Sequence, residues 1–251
     1  MPLPCPRCSE LARLLSGDVP TDRHVCELLD TDIVRHMCEA RPVTFGEAVA
    51  TSNVLERNLA RVRIFTLTNP FPSDPAAFVL FAIKLHRAFL TGTELHDGGG
   101  RFRAGPITYG PESKLRHGVA AERIGDELHR LSRRCLPVDA RTLTRPVLVT
   151  TGAKLVHGFL RVHPFPDING RTARALFAAL VAATGRYSRP LPRDDDRQAH
   201  KEYVVALQSV DWALDYEDRV HDEHYAPLAR WLDHYVEEPE EEPDEPAQGA
   251  R

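Results

Sequence analysis

Apolar residues recur at three- and four-residue spacing through most of this chain, as they do in helices that bury one face. That rhythm predicts helices over residues 76–89, 120–134, 145–161, 172–184, 200–214 and 226–236. Upstream, Thr44 with Glu47 three residues later forms a capping box, so a helix is expected over 45–61. Asn69-Pro70 and the cluster Phe71-Pro72-Ser73-Asp74-Pro75 then interrupt the chain. Residues 91–118 lose the helical period. Gly98, Gly99, Gly100, Gly105, Pro106 and Gly110 punctuate short segments such as Ile107-Thr108-Tyr109, a composition of loop and hairpin. The pattern divides the chain into an N-terminal appendage (1–43) with short helical patches, a mainly α domain (44–236) and a tail (237–251). The tail is acidic, broken by prolines and without aromatics, so it is expected to be disordered.

Charge sharpens this division. The chain of 251 residues carries a net charge of −4, yet residues 237–251 hold seven acids against Arg251 alone. The body is therefore slightly positive, about +2, and has no basic stripe that would suit nucleic acid. No apolar run approaches the length of a membrane span and the N-terminus lacks an apolar core of a leader, so a cytoplasmic protein is expected. Five cysteines do not suggest a disulfide framework. Cys5 and Cys8 form a C-x-x-C pair, and Cys26 and Cys38 each follow a histidine by two residues. A zinc clip is one reading of them; a reduced thiol pair and two core cysteines are the other.

The densest chemistry lies in His163-Pro164-Phe165-Pro166-Asp167-Ile168-Asn169-Gly170-Arg171-Thr172-Ala173-Arg174. A loop that enters a helix N-terminus presents backbone N–H groups to an anion. Arg171 and Arg174, three apart, share a helix face and match phosphate geometry. His163 titrates near neutrality and suits a general base. Asp167 offers a hard oxygen to Mg²⁺, and Asn169 can hydrogen-bond a phosphate oxygen. Gly170 lets the backbone approach phosphates without a Cβ. Pro164 shapes the turn and Phe165 anchors it in the core. Asp167 has a plainer reading, as a cap of the helix N-terminus.

This stretch resembles the active-site motif of the Fic family, H-P-F-x-(D/E)-G-N-(G/K)-R-x-x-R, at every specified position except Ile168, where the family usually has Gly. Leu85-His86-Arg87, Gly100-Arg101-Phe102-Arg103, His157-Gly158-Phe159 and Tyr203 resemble flanking parts of the family pattern. The resemblance implies a helical bundle with a small β-hairpin flap beside the active site, for which residues 104–117 are the candidates. It also implies transfer of AMP from ATP, with Mg²⁺, to a hydroxyl on a target protein, with His163 as catalytic base. No membrane or nucleic-acid partner is expected, and a homo-oligomer is left open.

Ile168 is the departure that matters. Its backbone N–H can still face an anion, but a β-branched residue is strained if the family's Gly has positive φ. A different donor or direction (phosphorylation, other nucleotidyl transfer, de-adenylylation) or a silent nucleotide-binding module therefore stands as the alternative. Ser52-Asn53-Val54-Leu55-Glu56 resembles the family's inhibitory helix, (S/T)-x-x-x-E-(G/N), with Arg57 in place of the last residue. The resemblance implies that Glu56 occupies the place of the γ-phosphate and pairs with Arg174.

Overall fold

The structure, a computed structural model, describes residues 68–92, 99–110, 115–137, 139–189, 197–216 and 221–238, together with Asn58, Val62, Phe65 and Thr66. The expected capping box, Ser52, Glu56, the cysteines at positions 5, 8, 26 and 38, and the acidic tail beyond residue 238 lie outside these. Among the described residues six α-helices and two small antiparallel ladders account for the architecture.

Helix α1 (Pro75–Leu90) begins where the proline cluster ends. Asp74 caps it by accepting the Ala77 N–H at 2.9 Å, and Pro75 supplies a first-turn residue whose missing N–H costs nothing there. Buried Asn58 donates to the carbonyls of Phe89 and Thr91 at 2.8 and 2.7 Å, satisfying the other end of the helix. A hairpin follows, β1 (Thr108–Tyr109) paired with β2 (Arg116–His117) in the register Thr108↔His117 and Tyr109↔Arg116. This is the hairpin that the glycine-rich composition foreshadowed.

Helices α2 (Ile124–Cys135), α3 (Arg145–Val162), α4 (Asn169–Ala183), α5 (Arg197–Tyr216) and α6 (Ala226–Asp233) complete the bundle. α3 is central and packs on α2, α4 and α6. Two of its glycines explain how closely. A Cβ on Gly152 would lie 2.5 Å from the Phe177 ring of α4, and one on Gly158 would lie 2.4 Å from Leu131 of α2. Phe78, Leu85, Phe89, Leu128, Leu148, Leu155, Phe159, Leu176, Phe177 and Leu180 are fully buried around it. Each such side chain contributes roughly 1.5–3 kcal/mol by leaving water.

Four elements differ from the sequence-based expectation by more than one residue. α2 starts at Ile124 rather than at 120, after a 3-10 turn over Ala121–Arg123, and α5 spans Arg197–Tyr216 rather than 200–214. α4 starts at Asn169, three residues before the expected start, because Ile168 supplies its first acceptor. The N–H and the hydroxyl of Thr172 both donate to the Ile168 carbonyl, at 3.0 and 3.1 Å. The last helix ends at Asp233 rather than Val236. Val236 and Glu237 instead form β4, paired with β3 (Tyr187–Ser188). That pairing joins residues some fifty positions apart, which a local pattern cannot show.

Candidate active site

The motif forms the short connection between the C-terminus of α3 and the N-terminus of α4. Both of its ends turn through left-handed backbone. His163 has φ 49°, ψ 59° and Ile168 has φ 47°, ψ 23°; they are the two non-glycine residues with positive φ among the described residues.

His163 closes α3. Its N–H donates to the Phe159 carbonyl at 2.9 Å, and its ring Nδ1 lies 3.1 Å from the Leu160 carbonyl. A carbonyl only accepts, so Nδ1 carries the proton and Nε2 of the neutral ring keeps its lone pair. Burial lowers the His163 pKa; the Leu160 carbonyl and Asp167 pull it the other way, and the Arg103 charge adds to the lowering. The net effect favours the neutral imidazole, the form that can accept a proton. The ring is stacked on Tyr109 of β1, with centroids 4.5 Å apart and planes 12° apart.

Arg103, 6% exposed, holds this corner from outside. Its Nε donates to the His163 carbonyl at 2.7 Å, and its terminal nitrogens donate to the carbonyls of Val162, Val119 and Gly105. Its own N–H donates to Pro164 at 3.0 Å. One guanidinium therefore ties the motif to both stems of the hairpin. Gly118, in the second stem, must be glycine for this approach. A Cβ there would meet Arg103 and Ile107 at 2.8 Å and the Cβ of His163 at 3.2 Å.

Phe165 is fully buried among His86, Phe102 and Phe159, and anchors the loop as expected. Its backbone is clamped by Asn169, 2% exposed. The Asn169 oxygen accepts the Phe165 N–H at 3.0 Å and its nitrogen donates to the Phe165 carbonyl at 2.8 Å. Buried and bonded at both ends, this amide braces the loop.

His86 supports the same loop from α1. It stacks on Phe165 at 3.8 Å, accepts the Gly100 N–H on Nδ1 at 2.9 Å, and directs Nε2 at the Asp167 carbonyl, 3.3 Å away. Burial pushes its pKa down to about 4, so it stays neutral at ordinary pH.

The second corner is bonded differently. The Ile168 N–H, expected to face an anion, instead donates to Oδ1 of Asp167 at 2.6 Å. Asp167 thus bonds the residue that precedes the helix, and no side chain caps the first turn of α4. The helix opens with backbone N–H groups that its own geometry leaves without intrahelical partners. A Cβ on Gly170 would meet nothing within 4 Å, so neither packing nor backbone demands a glycine there. Arg171 and Arg174 follow in the first two turns, both half-buried, and Arg174 forms no ion pair with any described residue. The connection brings together a neutral base, a carboxylate, an open helix N-terminus and two arginines.

A scan against family descriptions matches residues 79–181 to the Fic/DOC family. The matched span contains most of α1, the hairpin, the whole motif and most of α4. Residues 79–181 form a Fic/DOC domain. Solved structures of Fic proteins share the fold at low identity. A Fic domain-containing signaling protein from Bacteroides thetaiotaomicron is 17% identical, with 91% of each chain covered and a TM-score of 0.59. The BepC protein from Bartonella tribocorum, solved with AMPPNP bound, is 14% identical over 76% of this chain and 88% of its own, at a TM-score of 0.56. The N-terminal Fic domain of a VirB-translocated Bep effector protein from Bartonella quintana, solved with ADP bound, is 18% identical over 75% of this chain and 86% of its own, at 0.53. No curated protein matches the chain.

The Fic/DOC domain belongs to a family whose chemistry is nucleotide-dependent transfer to proteins. Reading the sequence alone named the motif residues but gave no role to Arg103, His86 or Tyr109. The Gly100-Arg101-Phe102-Arg103 turn and the Leu85-His86-Arg87 segment were visible as likenesses, without the contacts that explain them. No described helix is long and apolar enough to cross a membrane. Cys135, the one described cysteine, is buried and its pKa is raised to about 12, so it is inert.

Proposed function

We propose that the domain transfers AMP from ATP to a Ser, Thr or Tyr hydroxyl of a target protein and releases pyrophosphate. The target oxygen attacks the α-phosphorus while the bond from that phosphorus to the bridging oxygen of the β-phosphate breaks. The hydroxyl proton passes to Nε2 of His163. The observation that carries this reading is the His163 tautomer, with a free Nε2 lone pair, placed one short loop from an open helix N-terminus that bears Arg171 and Arg174. Positioning and charge stabilisation supply most of phosphoryl transfer, which suits a site of this composition.

The residues fit a magnesium ion bound chiefly through nucleotide. Among the described residues no group of three His, Cys, Asp or Glu could cage a metal. Asp167 spends one oxygen on Ile168 and keeps the other for an ion whose remaining ligands are phosphate oxygens and water. When bound, that ion would offset the negative charge of the phosphates. Glu56 restrains the reaction by standing where the γ-phosphate would sit and pairing with Arg174, so Glu56→Gly raises activity.

A second reading rests on Ile168. Its left-handed backbone and its N–H bond to Asp167 favour a site that uses another donor, or that binds nucleotide without transfer. Self-labelling separates the two. With α-³²P-ATP and Mg²⁺, label should appear in the chain, rise in Glu56→Gly and vanish when His163→Ala is added. Label from γ-³²P-ATP alone would establish a kinase. No label from either donor would leave a binding module.

A further inference from the structure

The strand register places Arg116 of β2 opposite Tyr109 of β1, and Tyr109 covers one face of the His163 imidazole. Arg116 does not point into solvent. It forms a fork onto α5: one terminal nitrogen donates to Oδ1 of Asp215 at 3.0 Å, the other to Oδ2 at 2.8 Å, and Nε lies 3.3 Å from Oδ2 of Asp211. Oδ1 of Asp211 in turn lies 3.0 Å from Nε2 of His157, which is buried in α3. The contacts form a closed ring: α3 through His157, α5 through Asp211, the hairpin through Arg116 and Tyr109, and back to the end of α3 at His163.

We propose that Arg116 is a positioning residue for the site: by fastening the hairpin to α5, it holds the Tyr109 ring flat against His163. Three observations carry this. The pairing register makes Arg116 and Tyr109 neighbours, so movement of one strand carries the other. The guanidinium–carboxylate fork fixes direction as well as distance, which a single point contact does not. Finally, the hairpin stem has no slack over His163, since Gly118 would already crowd its Cβ with the smallest side chain. The stack leaves the imidazole edge as the approach for an incoming hydroxyl. It also fixes the ring plane that the Leu160 bond alone leaves free to tilt.

This deepens the proposed reaction and rests on His163 being its base, but the shielding is measurable without turnover. The test is carbethoxylation of His163 by diethyl pyrocarbonate, followed by peptide mass spectrometry, with buried His86 as the internal control. Tyr109→Ala should raise the His163 rate by about five- to tenfold, the worth of one aromatic stack. Arg116→Ala and Asp215→Asn should each raise it severalfold. Tyr109→Phe should leave it near the original, and Arg116→Lys, which keeps the charge but loses the fork, should fall between. His86 should stay slow throughout.

An unchanged His163 rate in both Arg116→Ala and Asp215→Asn would overturn the proposal. A parallel rise at His86 would do so too, since it would mean general loosening of the fold. Asp215 is on the exposed side of the latch, so Asp215→Asn keeps the test decisive if Arg116→Ala folds poorly. Absence of nucleotide transfer would refute the proposed reaction and leave this shielding result standing.

Discussion

The motif turns two left-handed corners, and they are secured in opposite ways. At His163 the backbone and ring are fixed from outside: by Arg103 on its carbonyl, by α3 on its N–H and Nδ1, and by Tyr109 on its face. At Ile168 the bonds are local: its N–H donates to the adjacent Asp167 carboxylate and its carbonyl accepts from Thr172. Histidine tolerates this backbone better than a β-branched residue, for which it costs on the order of 1–3 kcal/mol. His163 is therefore over-determined, whereas the corner at Ile168 carries strain held by its neighbours. A substitution at the second corner can change the chemistry while leaving the position of the base intact.

Breaking the first corner should have the largest effect. Arg103→Met removes four side-chain hydrogen bonds from buried carbonyls and should lower unfolding stability by about 3 kcal/mol or more, read as a fall in the urea midpoint at unchanged slope. A loss below about 1 kcal/mol would mean that the corner does not depend on it.

Acid should loosen the support of both corners. His86 is held near 4 instead of its usual 6.5, and His163 is also lowered. Between those values the unfolded chain binds more protons, so the contribution is complete above pH 6.5 and is lost as pH falls towards 4. It should amount to roughly 3 kcal/mol for His86. His86→Gln should flatten this part of the stability–pH curve; an equally steep curve would place its origin elsewhere.

The smallest effect sharpens the comparison most. Ile168→Gly relieves the left-handed strain but also loosens the unfolded chain, so a net gain of about 1 kcal/mol is expected in thermal or urea unfolding. His163→Gly, with the same backbone conformation, should give no such gain, because the variant loses the Nδ1 contact with Leu160 and the stack on Tyr109. Equal gains at both corners would erase the distinction drawn between them.

Much of this was legible in the sequence because the signals are local. Phe165 as an anchor and the hairpin in a glycine-rich stretch follow from residue type and neighbours. What was not legible joins distant positions. Arg116 and Asp215 are 99 residues apart, Arg103 and His163 are 60 apart, and the pairing of Val236 with Ser188 crosses two helices. The brace that Asn169 forms was missed for a related reason. An amide four residues from a backbone it can clamp is indistinguishable, in sequence, from one aimed at a ligand. The condition attached to Ile168, that strain follows if the position has positive φ, could be stated in advance but only the backbone could meet it.

The central claim is that His163 is the base of a nucleotidyl transfer which Ile168 restrains without abolishing. Its most direct test is the intact mass of Ile168→Gly after incubation with ATP and Mg²⁺, beside the same chain carrying His163→Ala. The account predicts a gain of one adenylate in the first and none in the second. A gain of a phosphoryl group, or an adenylate that persists without His163, would contradict it.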